Sequence, residues 1–310
     1  MFQKLYSILR YLDEVFLVRS LNFDAYYAFH KALGFPLKRM GFLLAPGYKL
    51  NLKNPITFNE KVAYRHLFAK DPLLPEVVDK YKVRSFVEEK IGKQYLVPLL
   101  QIANSFDAID FSALPNEYIL KVTHGSGRNI IFKNGKNNKN YNEAELKKTV
   151  QNWLVEKYRF QQLIWFVQPI ERRVMIEALL KDEDGKIPKD YKFFVFNGCV
   201  EMIQVDHDRF EEHKRNLYDR EWNRLDLTLT YEQGDLDAEP TLLKEMIALA
   251  EKLASSFTFM RVDFYCVSQK IYFGELTPCP GGGIERFVPE EYDVYYGKKW
   301  KDHANLMRTS

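Results

Sequence analysis

Cysteines and long apolar runs are both scarce in this sequence. Its 310 residues include only three cysteines, Cys199, Cys266 and Cys279, and no C-x-x-C motif. These numbers argue against a disulfide framework or a cysteine-based zinc site and suit a reducing compartment. No apolar run reaches the roughly 18 residues of a membrane-spanning helix. Asp13 and Glu14 interrupt the N-terminal segment, which argues against a signal peptide, and the sequence predicts a cytoplasmic protein.

A large excess of charge of one sign is also missing. The 45 basic and 42 acidic residues leave a net charge of +3, too small to predict nucleic acid as the main partner. The excess is uneven, because residues 1–53 hold eight lysines and arginines against three acidic residues. Residues 1–45 also carry apolar side chains at helical spacing: Leu5, Leu9, Leu12 and Phe16. We expect this amphipathic helix to pack against the body. The alternative is peripheral association with a membrane, such as the inner membrane, or with a membrane-bound partner.

The sequence contains the pattern of a folded α+β protein. It is 46% hydrophobic and 15% aromatic, and strand-like runs alternate with helical segments and tight turns. Thr57 and Glu60 predict a capping box for a helix over residues 58–69. Asn197-Gly198 predicts a two-residue hairpin turn. Further helices are expected over residues 75–92, 143–160 and 241–255. The predicted class is therefore mixed α/β with much antiparallel sheet.

Residues 118–132 combine a hairpin pattern with a basic, glycine-rich turn. Their sequence is YILKVTHGSGRNIIF, in which two apolar runs flank the turn HGSG. Small residues let backbone N–H groups approach a phosphate, and Lys121 adds positive charge. The segment is therefore a candidate phosphate-binding loop. The alternative is a solvent-exposed hairpin tip with a few basic residues.

The last hairpin predicts a cluster of charged side chains. A turn centred on Gln269 places Asp263 opposite Glu275 and Arg261 opposite Thr277, all on one face of the strands. Opposed carboxylates repel unless a cation lies between them, and Mg²⁺ binds oxygen ligands, usually one or two carboxylates together with substrate phosphates. This face is a candidate nucleotide–metal site. The alternative is a solvated strand pair in which Arg261 neutralises both acids.

The order of these parts resembles a known family. The stretches that carry the resemblance are NPITFNEK, DKYKVR, LKVTHGSG, DYKFFVFNG, IQVDHDRF, RVDFY and YFGELT. From about residue 50 to 300 the chain is similar to the TupA-like ATP-grasp group of polysaccharide-biosynthesis proteins. The resemblance implies an ATP-grasp fold, with ATP and Mg²⁺ held between two α+β subdomains. It also implies four segments: an N-terminal helical extension (1–53), an N-terminal domain (54–117), a lid subdomain with the glycine-rich loop (118–180) and a C-terminal subdomain with the Mg²⁺ site (181–310).

The resemblance assigns roles to matching residues. The nucleotide contacts it implies are Lys80, Lys121, Lys192 and the loop His124, Gly125, Ser126 and Gly127, with an adenine-binding hinge at Glu177, Ala178 and Leu179. The implied Mg²⁺ ligands are Asp263, Glu275 and Thr277, the last standing where many members have Asn. Arg261 would stabilise charge on the reacting carboxylate, with Lys192 as a second catalytic residue. The expected substrate contacts are Asp206, Arg209, Arg215, Gly281 and Gly282.

The implied activity is that of an ATP-dependent carboxylate–amine ligase acting through an acyl phosphate. Its partners would be an amino acid or other amine and a sugar uronic acid, which could be nucleotide-linked, lipid-linked or polymeric. The implied setting is capsule or O-antigen (lipopolysaccharide) biosynthesis. Two alternatives remain: an ATP-dependent sugar phosphotransferase, and a nucleotide-binding partner of a membrane glycosyltransferase docked through residues 1–45. The full set of basic and acidic site residues argues against the second alternative.

Overall fold

The computed structural model describes residues 2–133, 142–207 and 213–301. The chain begins with three helices, α1 (Phe2–Asp13), α2 (Phe23–Ala32) and α3 (Pro36–Leu44), and a π-helical turn, Glu14–Val18, continues α1. The side chain of Asn22 caps α2 by accepting a hydrogen bond from the Ala25 N–H. Pro36 opens α3, where its fixed φ suits the first helical turn. Within the described residues, no helix is both long and apolar enough to cross a bilayer.

The helix α1 contacts the body through polar side chains, which differs from the prediction. The Arg10 guanidinium donates to the Gln161 side chain, whose amide N–H donates to the Asp13 carboxylate at 3.1 Å. The apolar positions expected to pack are instead exposed: Leu5 by 47%, Leu9 by 37%, Leu12 by 42% and Phe16 by 65%. The prediction that this stripe packs against the body is therefore wrong. Asp13 is the buried residue of the helix, and its bonds to Tyr26 and Gln161 hold the helix with the stripe outside.

The next helices, α4, α5 and α6, lie around the candidate active site described below. The capping box predicted for α4 (Phe58–Phe68) is present, with Thr57 and Glu60 each bonded to the other's backbone. The single helix predicted over residues 75–92 is two helices, α5 (Leu73–Val78) and α6 (Val83–Lys90). Asp79 separates them, because its carboxylate accepts from the N–H groups of Tyr81 and Lys82 and thereby competes with a continuous helix.

A four-stranded antiparallel sheet contains the glycine-rich hairpin. Its strands are β1 (Leu99–Ala103), β2 (Tyr118–Val122), β3 (Asn129–Phe132) and β4 (Val174–Ala178), in the order β1-β4-β2-β3. The helix α7 (Glu143–Val155) ends five residues earlier than predicted and covers one face, where Val150 packs against Leu120 and Ile176. β1 comes from the segment expected to form a separate N-terminal domain (54–117), yet it pairs with β4 of the expected lid subdomain (118–180). The domain boundary expected at residue 118 therefore stays a prediction.

A five-stranded antiparallel sheet forms the second unit. Its strands are β5 (Asp190–Phe196), β6 (Cys199–His207), β7 (Lys214–Tyr218), β9 (Phe259–Val267) and β10 (Lys270–Thr277), in the order β10-β9-β5-β6-β7. The Asn197-Gly198 turn is confirmed, with positive φ at both residues. The helix α8 (Leu243–Ala254) packs on the apolar face. The short strands β8 (Thr228–Leu229) and β11 (Phe287–Val288) pair with each other, and α9 (Glu291–Lys299) closes the described fold.

The last hairpin has the predicted pairing near its open end, although its turn differs. Two residues with positive φ, Ser268 and Gln269, form the turn, so Lys270 pairs with Val267. A bulge at Gly274 then shifts the register by one residue. Beyond the bulge Glu275 pairs with Asp263, and Thr277 pairs with Arg261. The predicted pairs are confirmed, with the bulge compensating for the shorter turn.

Candidate active site

One cleft brings several of the predicted residues together. It has a volume of about 340 Å³ and lies between the glycine-rich loop, α5, β10 and the loop after β10. Predicted residues on its wall are Lys80, His124, Gly125, Ser126, Arg261, Glu275, Thr277, Gly281 and Gly282. The sequence interpretation missed Tyr158 and Arg159, which also line it and lie just beyond α7. They carried no sequence signal, because they fall at the end of a segment predicted to be helix.

Arg261 is the centre of the charged cluster on the last hairpin. Its Nε and Nη2 atoms donate to the two carboxylate oxygens of Asp263, each at 2.7 Å. Nη2 also donates to Glu275 Oε1 at 2.9 Å and to Thr277 Oγ1 at 3.1 Å. The Thr277 hydroxyl in turn donates to Glu275 at 2.9 Å. The two-residue period of β9 and its pairing with β10 place one guanidinium against both acids, as in the alternative anticipated from the sequence, but Arg261 and Asp263 are buried and not solvated.

The two carboxylates have different electrostatic environments. Burial raises the pKa of Asp263 above its ordinary value although Arg261 opposes the rise, and the side chain is only 3% exposed. Burial also acts to raise the pKa of Glu275, but Lys80 and Arg261 outweigh it and hold that pKa at about 2. Lys80 Nζ lies 3.9 Å from Glu275 Oε2. Glu275 is thus an ionised carboxylate on the cleft wall.

The oxygen atoms of this cluster fit a magnesium ion bound together with phosphates. Asp263 and Glu275 supply two carboxylates and Thr277 a hydroxyl, which are hard donors of the kind Mg²⁺ prefers. Within the described ranges, no three His, Cys, Asp or Glu side chains form a metal-ligand group by themselves. Mg²⁺ commonly completes its coordination with waters and phosphate oxygens, so two carboxylates are a sufficient protein contribution.

Lys192 lies on the same sheet face as the Arg261 cluster, since its Cα partner on β9 is Asp263. It is 4% exposed, and its Nζ lies 2.8 Å from Asp190 Oδ2 and 2.8 Å from Asp206 Oδ2. Arg215 donates to Asp206 at 2.7 Å and to Glu285 at 3.2 Å. A row of alternating charges therefore crosses the sheet.

Two members of that row were not foreseen. Asp190 was detectable from the sequence, because it precedes Lys192 by two residues and so shares its face. Glu285 had no signal, since it comes from a loop after β10. Asp206 and Arg215, two of the expected substrate contacts, are not among the residues that line the cleft, and Arg209 lies outside the described residues.

The predicted phosphate lysine of β2 forms a separate group at the four-stranded sheet. Lys121 pairs with the Glu177 carboxylate, whose other oxygen accepts from Arg84 at 2.7 Å. The Ala178 N–H donates to the Pro98 carbonyl at 3.0 Å and is therefore engaged within the protein.

The glycine-rich loop is anchored from α7 and the segment after it. The Ser126 N–H donates to the Tyr158 hydroxyl at 2.9 Å, and Gly127 has a φ of +68°. His124 Nε2 lies 3.0 Å from the Trp153 carbonyl, which can only accept, so this nitrogen carries the proton. Burial, assisted by Arg172, lowers the pKa of His124 to about 4. Neutral His124 therefore positions the loop near neutral pH.

The two-sheet fold, the glycine-rich hairpin and the charged strand pair define an ATP-grasp protein. A family model described as TupA-like ATPgrasp matches residues 60–301, and the chain belongs to that family. A search of curated proteins found no match.

The fold is also similar to solved ATP-grasp structures. D-alanine–D-alanine ligase from Bacillus anthracis complexed with ATP is 13% identical, with 74% of this chain and 64% of that chain covered and a TM-score of 0.41. The Helicobacter pylori D-alanine–D-alanine ligase is 13% identical, with 78% and 67% covered and a TM-score of 0.39. The ligase PsnB with a precursor variant, Mg and ADP is 12% identical, with 66% of this chain covered and a TM-score of 0.37. The match spans 51% of the PsnB chain.

Proposed function

We propose that this protein is an ATP- and Mg²⁺-dependent carboxylate–amine ligase that acts through an acyl phosphate. Membership of the TupA-like ATP-grasp family supports the proposal. The observation that carries it is the Arg261 cluster beside the cleft, where two carboxylates, a hydroxyl and Lys80 meet the glycine-rich loop. Such a site can offset phosphate charge and stabilise a developing oxyanion.

Each group has a definable task in this proposal. Asp263 and Glu275, with Thr277, would hold Mg²⁺, which offsets the charge of the nucleotide phosphates. Lys80 and Lys121, together with Lys192, would contact the phosphates. Arg261 would bind the carboxylate that becomes phosphorylated, and the amine would then attack the acyl phosphate with release of phosphate. The cleft walls hold the reactants together, which converts a bimolecular step into an effectively unimolecular one.

The proposed substrates are a sugar uronic acid and an amino acid, joined as an amide during capsule or O-antigen biosynthesis. This part of the proposal rests on the similarity of the chain to the TupA-like group of polysaccharide-biosynthesis proteins. A panel of uronic acid glycosides is tested against amino acids in the presence of Mg²⁺. Purified protein should release phosphate from ATP only when a suitable acid and a suitable amine are both present. Glu275→Gln should abolish release, and Lys244→Gln, an exposed cation on α8, should not change it. Conversion of ATP to ADP that needs only a sugar hydroxyl, and yields a sugar phosphate with no inorganic phosphate, would overturn the proposal in favour of a phosphotransferase.

We also propose that the N-terminal extension binds the surface of an anionic membrane. The exposed apolar side chains of this segment form a stripe, Phe2, Leu5, Ile8, Leu9, Leu12 and Phe16. Seven of the eight extension cations are exposed: Lys4, Arg10, Arg19, Lys31, Arg39, Lys49 and Lys53. Of the three acids, Asp13 is buried against His30. The exposed charge of the extension is thus strongly positive, and positive charge together with an exposed apolar stripe favours an anionic lipid surface.

Vesicle sedimentation tests this surface. The full chain should bind vesicles containing phosphatidylglycerol more tightly than phosphatidylcholine vesicles, and less tightly at high salt. The double change Leu9→Gln and Phe16→Gln should weaken binding at least about tenfold, since burying each side chain contributes about 1.5–3 kcal/mol. Leu236→Gln, at a residue 71% exposed elsewhere, is the matched control. Equal binding by all variants, or a stable dimer that buries the stripe, would exclude the membrane proposal.

A further inference from the structure

A short segment after α7 connects the N-terminal extension with the glycine-rich loop. We call this segment, residues 156–164, the bridge segment. On the side of the extension, Lys157 Nζ donates to the backbone carbonyls of Val18 and Leu21 at 2.5 and 2.9 Å. Both carbonyls belong to the turn between α1 and α2, so one lysine ties the start of the bridge segment to the extension.

The rest of the bridge segment also packs on the extension. The ring centroids of Phe160 and Tyr26 lie 5.0 Å apart, and Leu163 belongs to the same apolar cluster. Between these two apolar residues, Gln161 Nε2 donates to the Asp13 carboxylate at 3.1 Å. The bridge segment is therefore held by the extension through alternating polar and apolar contacts.

The same segment holds the glycine-rich loop on its other side. The Tyr158 hydroxyl accepts from the Ser126 N–H at 2.9 Å, and the Glu156 carboxylate accepts from Arg128 Nη2 at 2.9 Å. Tyr158 also lines the cleft. Because Tyr158 directly follows Lys157, the anchor of the loop and the anchor to the extension are adjacent in the chain.

The backbone of the bridge segment is strained. Arg159 and Leu163 have φ values of +56° and +60°, in the left-handed region that residues with a Cβ adopt only at an energetic cost. Such conformations persist where surrounding contacts hold them in place. The contacts of Lys157 and Phe160 with the extension lie on either side of Arg159. We expect the segment to relax when these contacts are lost, and Tyr158 to move away from the loop.

We infer that the extension holds the glycine-rich loop in its nucleotide-binding position through the bridge segment. Lys157 and Gln161 are positioning residues that act through Tyr158. A movement of the extension that breaks their bonds weakens nucleotide binding, and by linkage bound nucleotide strengthens the contacts of the extension. The inference rests on the proposed ligase function and adds a means of regulating its nucleotide site.

Calorimetric titration of the full chain with a non-hydrolysable ATP analogue and Mg²⁺ tests the inference. Lys157→Met should weaken binding about fivefold, the lower end of the usual range for coupling between two sites. Lys157→Arg should recover part of the loss, because a guanidinium can also donate to carbonyls. Gln161→Met, a second variant, removes the bond to Asp13 and should also weaken binding.

A lysine elsewhere in the fold provides the matched control. Lys61 Nζ donates to the backbone carbonyls of Gly297 and Trp300 at 2.6 and 2.7 Å, so Lys61→Met loses the same kind of bonds away from the bridge segment. It should bind the analogue as the unaltered chain does. Equal losses in Lys61→Met and Lys157→Met would indicate general destabilisation and overturn the inference. Unchanged affinity in both Lys157→Met and Gln161→Met would overturn it as well.

A double-mutant cycle tests the route through Tyr158. Tyr158→Phe removes the hydroxyl that accepts from the Ser126 N–H. If Lys157 acts through that hydroxyl, Lys157→Met should weaken binding by less than about twofold in the Tyr158→Phe background. Losses that multiply independently would contradict this route, because residues without coupling have additive free energies.

Hydrogen exchange of the nucleotide-free chain separates this inference from the ligase proposal. Lys157→Met should speed exchange of the glycine-rich loop amides, Ser126 among them, about as strongly as it weakens nucleotide binding, and Lys61→Met should not. Unchanged exchange in Lys157→Met would mean that the extension does not hold the loop. Failure of the analogue to bind the unaltered chain would instead remove the ligase proposal, and the exchange rates would still decide whether the extension positions the loop.

Discussion

Asp206 is a buried carboxylate held by two cations. Burial acts to raise its pKa, but Lys192 and Arg215 outweigh that effect and hold the pKa far below the ordinary value of 3.8. A carboxylate with a lowered pKa stabilises the fold above its ordinary pKa, and this contribution is lost as the pH falls through the folded-state value. We therefore expect Asp206 to contribute to acid unfolding.

The variant Asp206→Asn measures that contribution. It should be less stable than the unaltered chain near neutral pH by about 3 kcal/mol or more, because Lys192 and Arg215 lose a charged partner. Its free energy of unfolding should also fall less steeply with decreasing pH below about 4. Urea unfolding across the acid range measures both effects. Parallel pH dependence in the two proteins would show that Asp206 does not titrate as described.

At the residue scale, the sequence predicts what hairpin pairing controls and little else. Asp263 and Glu275 could be placed opposite each other because antiparallel pairing fixes which side chains share a face. The two bonds between Arg261 and Asp263 follow from the two-residue period of a single strand, which places both side chains on one face. The contact of Arg215 with Glu285 could not be predicted, because it joins a strand to a distant loop and no local periodicity links them.

The loop after β10 offers an element-scale test with a matched pair of glycines. Gly282 and Gly283 both have left-handed φ, so replacing either with alanine costs about 1–2 kcal/mol in backbone strain. A Cβ on Gly282 would meet nothing within 4 Å, whereas one on Gly283 would lie 2.8 Å from the Asn59 carbonyl oxygen and 3.0 Å from Val62. We expect Gly283→Ala to lose about 1–3 kcal/mol more than Gly282→Ala. Urea unfolding gives the difference, and equal losses would mean that the loop moves away from α4 without cost.

Elements with strong local signals were predicted, and their interruptions were not. The capping box of α4 and the Asn197-Gly198 turn depend on neighbouring residues and were correct. The break between α5 and α6 depends on Asp79, whose carboxylate accepts from backbone N–H groups that follow it. Aspartate is common at helix starts, so its presence within a helical pattern does not by itself predict a break. The bulge at Gly274 likewise has only a glycine as its signal, and glycine is common to bulges, turns and strand ends.

At the scale of the whole molecule, the extension is part of the packed structure. Val18, Tyr26 and Phe35 form one apolar cluster with Leu67 and Phe160 of the body. Deleting residues 1–53 would expose the body side of that cluster and remove three large buried side chains. Since each such loss costs about 2–5 kcal/mol, the total is comparable to the stability of a typical domain.

Two truncations separate packing from surface binding. The chain without residues 1–53 should be poorly soluble or unfold at much lower urea concentration. The chain without residues 1–9 keeps Arg10 and Asp13, which contact Gln161, and should remain folded while losing part of the exposed stripe. Unchanged unfolding of the longer truncation would mean that the body folds independently of the extension.

The attachment of Arg261 has a consequence for the order in which ligands bind. Its Nε and Nη2 atoms donate to Asp263, Glu275 and Thr277, and in the proposed ligase a second cation that neutralised those oxygens would make these donors available to an incoming acid. For the proposed ligase, we therefore expect the acid to bind more tightly after the metal–nucleotide than before it.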